Sequence, residues 1–274
     1  MADAAAARST FKALHAEGCF AIPNPWDVGS ARALEQLGFS ALATTSAGFA
    51  FARGRPDAMD VLSVEEVIEH VAEIVASVDV PVNADFQAGY ATSAEGVAAN
   101  VRRCASTGVA GLSIEDTNRD GSLFEPAEAV ERIAAARGAI DEEDNGVLLT
   151  ARAECFLVGH PNPLEESIQR LRGYSEVGAD VLFAPAVRAA DQIRALVEAV
   201  APKPLNVLIS ADTGLSISDL AELGVRRVSV GSALSRVAWG AFLRAAQELA
   251  EQGTFGGLDG AASFATLNQM MGGG

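Results

Sequence analysis

The sequence predicts a closed (β/α)8 barrel, in which a ring of helices surrounds eight parallel strands. Short apolar runs, typical of strands buried on both faces, alternate with amphipathic helical windows along the 274 residues. Strict alternation of strand and helix indicates a parallel sheet, and we count eight such units. Eight units suggest that the sheet closes, while an open doubly wound sheet is the alternative architecture.

Four of the predicted strands follow a helical segment that ends near a glycine and close with small or polar residues, and the others fit this pattern less tightly. The eight runs cover residues 18–27, 37–48, 80–89, 107–117, 146–154, 177–187, 203–214 and 223–233. The helical windows carry apolar residues at three- and four-residue spacing and cover 28–37, 63–77, 94–107, 126–139, 163–177, 190–200, 216–223 and 233–251. Candidate N-caps of these helices are Asp27, Ser63, Ser93, Ser216 and Ser218.

No change of composition and no linker divides the chain. We therefore expect residues 1–274 to form a single barrel domain. The C-terminal tail, at about 253–274, is rich in glycine and weakly patterned, so we expect its end to be frayed and the part before it to be loose or packed on a neighbour.

Composition excludes several classes of partner. The formal net charge of −16 argues against nucleic acid and anionic membranes, because both bind concentrated positive charge. No stretch is long and apolar enough to span a bilayer, and the N-terminus lacks the apolar core of a signal peptide. The 3 cysteines are widely separated, which argues against disulfides and a cysteine zinc site and favours the cytoplasm.

Polar residues collect where the predicted strands end, which is where barrel enzymes place their active sites. The candidates are Asn24, Trp26, Asp27, Thr44, Thr45, Ser46, Gly48, Asp57, Asp85, Gln87, Glu115, Asp116, Arg152, Glu154, Asn206 and Ser210. Carboxylates and amides suit a hard divalent cation, whereas Arg152 and the Thr/Ser/Gly loop suit an anion. Asp27 and Asp116 have a second interpretation, because either could simply cap a helix. Neither lysine lies at these ends, which excludes Schiff-base chemistry.

Two of these strand ends carry acids that should lie side by side. Asp85 and Glu115 end adjacent strands, and two carboxylates repel unless a cation lies between them, which favours a metal. A charge such as Arg152 at a buried strand end also needs a partner, which is either the substrate or Asp85 or Glu115.

Several motifs resemble those of the isocitrate lyase/phosphoenolpyruvate mutase superfamily. They are IPNPWDVGSARALEQLGFSALATTSAGFAFARGRPD, VNADFQAGY, SIED and TAR, in that order, and the likeness extends from about Phe11 to about Leu243. The resemblance implies a (β/α)8 barrel that binds Mg²⁺, with Mn²⁺ as a substitute, and a small α-oxo acid or its enolate. It also implies a homo-oligomer, a dimer or tetramer in which a C-terminal helix is exchanged.

The resemblance also assigns roles to individual residues. Asp85 would bind the metal directly, while Asp57, Gln87 and Glu115 would reach it through water. Thr45, Ser46, Ala47 and Arg152 would bind the carboxylate substrate, and we add Asn206 from the seventh strand to this group. Arg152, Asp57 and Glu115 are the residues expected to act in catalysis.

Departures from the family pattern narrow the expected activity. The segment TNRDGSLFEP after Asp116 contains neither the cysteine nor the histidine of the isocitrate and methylisocitrate lyase loop, and Ala184-Pro185-Ala186 replaces their Pro-Glu pair. Gln87 replaces a second acid, which predicts weaker Mg²⁺ binding. The chain is thus similar to the branch that includes oxaloacetate decarboxylases, although the histidine associated with decarboxylation there has no counterpart.

We therefore expect a Mg²⁺-dependent carbon–carbon lyase or decarboxylase that acts on a small 2-oxo or 2-hydroxy di-acid through a pyruvate enolate. A P–C bond enzyme of the phosphonopyruvate hydrolase or phosphoenolpyruvate mutase type is one alternative. A barrel that binds a carboxylate or a metal without catalysis is another.

Overall fold

Eight parallel strands form the wall of a barrel, which confirms the predicted fold class. Their order around the sheet is β1-β8-β7-β6-β5-β4-β3-β2. The strands are β1 (Phe20–Ile22), β2 (Leu42–Ala43), β3 (Val82–Asp85), β4 (Gly111–Glu115), β5 (Leu148–Arg152), β6 (Val181–Phe183), β7 (Leu205–Leu208) and β8 (Arg227–Ser229). Between the two end strands, the Ala43 N–H donates to the Pro23 carbonyl at 3.0 Å, so the barrel is nearly closed.

The computed structural model describes residues 3–59, 61–143 and 145–272. Its helices are α1 (Ala4–Leu14), α2 (Val28–Gln36), α3 (Ser46–Ala52), α4 (Val64–Ser77), α5 (Ala94–Ala105), α6 (Pro126–Glu142), α7 (Pro163–Glu176), α8 (Ala190–Val200), α9 (Ile217–Glu222), α10 (Ala233–Gln252) and α11 (Phe264–Gly272). All eight predicted windows contain a helix. Three helices, α1, α3 and α11, lie outside those windows. No described helix is long and apolar enough to cross a membrane.

Side chains cap four of the helices at the positions that the sequence predicts. Asp27, Ser63, Ser93 and Ser216 each accept a hydrogen bond from the backbone N–H three residues later. Such a cap stabilises a helix by about 1 kcal/mol. The prediction for Ser218 is wrong, because this residue lies inside α9 and Ser216 already provides the cap.

Helix α1 contributes an aromatic side chain to the end of the barrel opposite the predicted site. Phe11 is fully buried and packs in one cluster with Ile22, Ala41, Ala110 and Leu148, several of which lie at or just before the start of a strand. This packing fills the barrel near the amino ends of its strands. The carboxyl ends are therefore where a ligand can enter.

The glycine-rich tail contains regular structure despite its weak sequence pattern. Helix α10 ends at Gly253, which has a left-handed φ of 66°, and a short 3-10 turn follows at Gly256–Leu258. Helix α11 then packs on α2, where Arg32 Nη1 donates to the Met271 carbonyl at 3.1 Å. Phe264 at the start of α11 is nevertheless 89% exposed.

Candidate active site

The centre of the site is a guanidinium surrounded by carboxylates at the ends of three neighbouring strands. Asp85, Glu115 and Arg152 end β3, β4 and β5, and Glu115 pairs with Arg152 in the strand register. Arg152 Nη1 lies 3.1 Å from Asp85 Oδ1 and 3.2 Å from Glu115 Oε2. Asp85 and Glu115, the two partners predicted for Arg152 within the protein, both contact it. The cation between the two acids is thus the Arg152 guanidinium.

Glu154, a strand-end candidate to which the family resemblance assigned no role, supplies a third carboxylate. Its Oε1 accepts from Arg152 Nε at 2.8 Å and lies 2.7 Å from Nη2. Its own backbone N–H donates to Asp116 Oδ1 at 2.8 Å. The only indication of this contact in the sequence is that Glu154 lies two residues after Arg152, because residues i and i+2 along a strand point to the same side.

Asp116 is a structural anchor behind this cluster. Its Oδ2 accepts from the Tyr174 hydroxyl at 2.6 Å and lies 3.1 Å from Arg170 Nη1, and all three residues are buried. The interpretation of Asp116 as a helix cap is therefore wrong, whereas that of Asp27 is correct. The chain of contacts Tyr174–Asp116–Glu154–Arg152 connects the barrel wall to the site.

Burial and mutual charge shift the ionisation of this cluster. Burial raises the pKa of Glu154 to about 8, although Arg152 lowers it. Burial also raises the pKa of Glu115, again against the effect of Arg152, and the negative charge of Asp85 adds to the rise. Burial lowers the pKa of Arg152, but Glu154, Glu115 and Asp85 together raise it above its ordinary value. In this cluster, three carboxyl groups thus share the guanidinium of Arg152.

The predicted anion-binding loop is the start of a helix. Thr45 is the N-cap of α3, and its Oγ1 accepts from the Gly48 N–H at 3.3 Å. The Ser46 N–H donates to Asp85 Oδ2 at 2.9 Å, and the Asp85 N–H donates to Thr44 Oγ1, also at 2.9 Å. Because backbone N–H groups at a helix start attract negative charge, this arrangement fixes the carboxylate of Asp85.

A cavity of about 160 Å³ opens beside Asp85. Seven of the predicted site residues line it: Thr45, Ser46, Ala47, Asp57, Asp85, Arg152 and Asn206. Two others do not, because Glu115 lies behind Arg152 and Gln87 sits in the turn after β3. The lining also includes the strand-end candidates Asn24 and Thr44, together with Arg227 and Ser229, which the sequence did not single out.

Asp57 reaches this cavity from the loop after α3. It keeps an exposed surface, while the cavity wall removes part of its hydration. This desolvation raises the pKa of Asp57, and the charge of Asp85 raises it further, whereas Arg152 lowers it.

The turn after β3 has an unusual backbone. Gln87, Gly89 and Tyr90 all have left-handed φ angles, of 41°, 83° and 51°. A Cβ on Gly89 would lie 2.9 Å from the methyl groups of Val97, so glycine is required here for space as well as for conformation. The turn also connects two acidic strand ends, since the Gln87 carbonyl accepts from the Glu115 N–H at 2.9 Å.

Comparison with known proteins identifies the family. Residues 11–250 match the model of the phosphoenolpyruvate phosphomutase family. The chain belongs to this family. This membership confirms the resemblance to the isocitrate lyase/phosphoenolpyruvate mutase superfamily that the motifs carried.

Proteins similar to this phosphomutase-family chain include both sequence relatives and solved structures. Oxaloacetate decarboxylase of Paraburkholderia xenovorans is 32% identical over 230 residues, which are 80% of this chain and 73% of that protein. A Burkholderia cenocepacia protein assigned as a lyase/mutase is 43% identical, with a TM-score of 0.93, and the match covers 98% of this chain and 97% of that one. Oxaloacetate acetylhydrolase in complex with its product oxalate is 26% identical, with a TM-score of 0.87, over 98% of this chain and 94% of that one.

These relatives show that the chain is an enzyme of the lyase and mutase type. The alternative of a barrel without catalysis is therefore set aside. The characteristic superfamily motifs coincide with the described site, since VNADFQAGY, SIED and TAR end in or contain Asp85, Glu115 and Arg152.

The donor chemistry of the site fits a hard divalent cation. The carboxyl groups of Asp85, Glu115 and Glu154 contact the Arg152 guanidinium, and the carboxyl group of Asp57 lies on the same cavity, so oxygen ligands are available there. Across residues 3–59, 61–143 and 145–272, no three His, Cys, Asp or Glu side chains form a ready-made metal site. Mg²⁺ commonly keeps several waters and binds through one or two protein carboxylates.

Proposed function

We propose that the protein is a Mg²⁺-dependent carbon–carbon lyase or decarboxylase that acts on a small 2-oxo or 2-hydroxy di-acid through the enolate of pyruvate. The observation that carries this proposal is the position of Asp85. Its carboxylate lies at the wall of a small polar cavity and is oriented by the Ser46 N–H and by Arg152, and Asp57 lies on the same cavity. An oriented carboxylate in such a site is suited to hold a cation next to a reacting 2-oxo acid.

The cation would be held directly by Asp85, with Asp57, Gln87 and Glu115 reached through water, and Mn²⁺ would serve in place of Mg²⁺. When bound, it would supply electrostatic stabilisation of the developing enolate.

The chain's own residues would orient the substrate and manage protons. The start of α3, at Thr45, Ser46 and Ala47, would bind the carboxylate next to the 2-oxo group, because these residues line the cavity and the N-terminal end of a helix favours anions. Arg152 would fix Asp85 and orient the charged end of the substrate. Asp57 is the proposed proton carrier at the cavity mouth, because its raised pKa lets it hold a proton closer to neutral pH than an ordinary aspartate does.

The test is isothermal titration calorimetry with oxalate, which mimics the pyruvate enolate, in the presence and absence of Mg²⁺. We expect metal-dependent binding in the wild type and no binding in Asp85→Asn, which removes the charge but keeps the shape. Asp79→Asn is the matched control, because this exposed acid lies just before the same strand, at its opposite end. An absence of oxalate binding to the wild type at millimolar concentration would contradict the proposal.

A second candidate is cleavage of a P–C bond, of the phosphonopyruvate hydrolase or phosphoenolpyruvate mutase type. The observation that favours it is the family model itself, whose description is phosphoenolpyruvate phosphomutase. Incubation with phosphonopyruvate and with oxaloacetate, followed by assays for phosphate and for pyruvate, distinguishes the two. The P–C enzyme would be favoured if kcat/KM for phosphate release from phosphonopyruvate exceeds kcat/KM for pyruvate release from oxaloacetate.

We also propose that the protein works in the cytoplasm as a homo-oligomer, a dimer or tetramer, with a small carboxylate substrate and with neither nucleic acid nor membrane as a partner. Support for assembly comes from α10, on which Val237, Trp239, Phe242 and Leu243 are exposed large apolar side chains. An apolar surface of this kind on a soluble enzyme commonly lies in an interface. Sedimentation of wild type and Phe242→Glu tests it, and a wild-type monomer at micromolar concentration would contradict it.

A further inference from the structure

The cavity contains a second arginine, Arg227, at its inner end. Arg227 is the first residue of β8, whereas Arg152 is the last residue of β5, so Arg227 lies deeper along the barrel. It is only 3% exposed, and it lines the same cavity as Asp85. Arginine is rarely buried without an acid beside it, so its partners decide what it can do.

The partners of Arg227 are all neutral. Its Nε donates to Asn206 Oδ1 at 2.9 Å, and its Nη2 donates to Thr150 Oγ1 at 3.1 Å. Its Nη1 lies 3.4 Å from His15 Nε2. His15 Nδ1 lies 2.7 Å from the Phe11 carbonyl and must donate there, which leaves Nε2 as an acceptor for Arg227.

Within the described part of the chain, no acidic side chain contacts the Arg227 guanidinium. Burial lowers the pKa of Arg227 to about 9, so it is still a cation at neutral pH. Burial, followed by the nearby charge of Arg227, lowers the pKa of His15 to about 3, so the imidazole is neutral there. No ion pair among the residues that the structure describes involves Arg227.

Arg152 has the opposite surroundings. Three carboxylates contact its guanidinium, and its Nε, Nη1 and Nη2 all donate to them. Of the described residues that line the cavity, Arg152 and Arg227 are the cationic ones. A guanidinium has five N–H groups, and Arg227 uses three on neutral acceptors, which leaves two for a ligand.

We propose that Arg227 is a specificity-determining residue, which receives the second carboxylate of a di-acid at the inner end of the cavity and thereby selects di-acids over mono-acids. Asn206 is then a positioning residue, which holds Arg227 through a neutral oxygen without neutralising its charge. The inference rests on the proposed function only in placing the reacting end of the ligand at Asp85.

The test uses two probes that differ only at the distal end. L-malate and 2-hydroxybutyrate are both four-carbon 2-hydroxy acids. The distal group is a carboxylate in malate and a methyl group in 2-hydroxybutyrate. Calorimetry at pH 7 with Mg²⁺ gives the ratio of their dissociation constants. The wild type should prefer malate by at least about tenfold, the preference expected for a charge-assisted pair of hydrogen bonds.

Two variants remove the proposed interaction in different ways. Arg227→Gln removes the charge, and Asn206→Asp keeps the arginine but gives it a carboxylate partner of nearly the same shape. Both should bring the ratio to within about twofold of one. Arg226→Gln is the control, because this neighbouring arginine donates to the Gly18 carbonyl and does not line the cavity. Circular dichroism checks that each variant folds, and either folded variant is sufficient.

The outcomes separate this inference from the proposed function. A wild type that does not prefer malate, or a folded variant that keeps the preference, overturns the role of Arg227. Oxalate, titrated in parallel, is too short to need the inner end of the cavity. Failure of the wild type to bind oxalate, together with a malate preference that depends on Arg227, would overturn the enolate site and leave the role of Arg227 supported.

Discussion

The two tyrosines of the chain allow one structural claim to be tested by a pair of matched substitutions. Tyr174 is fully buried, and its hydroxyl donates to Asp116 Oδ2 at 2.6 Å. The Tyr90 hydroxyl is also buried, but no side chain or backbone group of the described residues accepts from it. Replacement by phenylalanine removes only the hydroxyl in each case, so the two variants differ in the hydrogen bond that is lost.

The expected magnitudes follow from these surroundings. A hydrogen bond to a charged acceptor contributes about 1.5–3 kcal/mol to stability, so Tyr174→Phe should lower the free energy of unfolding by that amount. Tyr90→Phe removes a buried hydroxyl without a partner, so its effect should be neutral or stabilising. For a chain of this length, the loss in Tyr174→Phe corresponds to a fall in Tm of roughly 3–12 °C.

Urea denaturation of the wild type and both variants, followed by circular dichroism, measures the difference. The slope of the unfolding free energy against urea concentration should be the same for all three proteins. Equal destabilisation by the two substitutions would refute the reasoning, because it would mean that the hydroxyl of Tyr174 gains nothing from Asp116. A loss below about 0.5 kcal/mol in Tyr174→Phe would do the same.

Two further predictions concern pH and the backbone. Burial lowers the pKa of His70 to about 4 in the folded protein, below the value near 6.5 in the unfolded chain. Because the unfolded chain therefore binds a proton first as the pH falls, the free energy of unfolding should decrease by up to about 3 kcal/mol between pH 6.5 and pH 4. Urea titrations at pH 7 and pH 4.5 should show a smaller loss in His70→Gln, and an unchanged loss would contradict this assignment. Gly89→Ala should destabilise the protein by more than about 1 kcal/mol, because φ is 83° and the new Cβ would meet Val97. Gly18→Ala, with a φ of 70° but open space, should cost less in the same denaturation experiment, and equal costs would show that the contact with Val97 is harmless.

Local sequence patterns were sufficient for the barrel. The strands are short apolar runs and the outer helices are amphipathic, so periodicity and capping residues locate them without tertiary information. The exceptions have physical causes. Helix α3 is 7 residues long and composed of small and aromatic residues, which gives no helical periodicity. Helix α11 has no buried residues, so its apolar side chains show no pattern of one buried face.

The candidate site was predicted in part, because its residues follow strand ends but their partners do not follow from spacing. Asp85 and Arg152 could be brought together from their positions on nearby parallel strands. Asp116 looked like a cap because Tyr174, which accounts for its burial, is 58 residues away along the chain. Arg227 lies in the run VRRVSV, where nothing in the sequence distinguishes the buried arginine from the neighbouring Arg226 on the surface.

The central claim is that Asp85 and its neighbours stabilise the enolate of pyruvate, and hydrogen exchange measures this most directly. If the enzyme forms and protonates this enolate, the reverse step should exchange the methyl protons of pyruvate with solvent. Proton NMR of pyruvate in D₂O would follow the loss of the methyl signal. We expect Mg²⁺-dependent exchange that exceeds the uncatalysed rate in the wild type and is absent in Asp85→Asn. Exchange at the background rate, in wild-type protein that binds pyruvate, would contradict it.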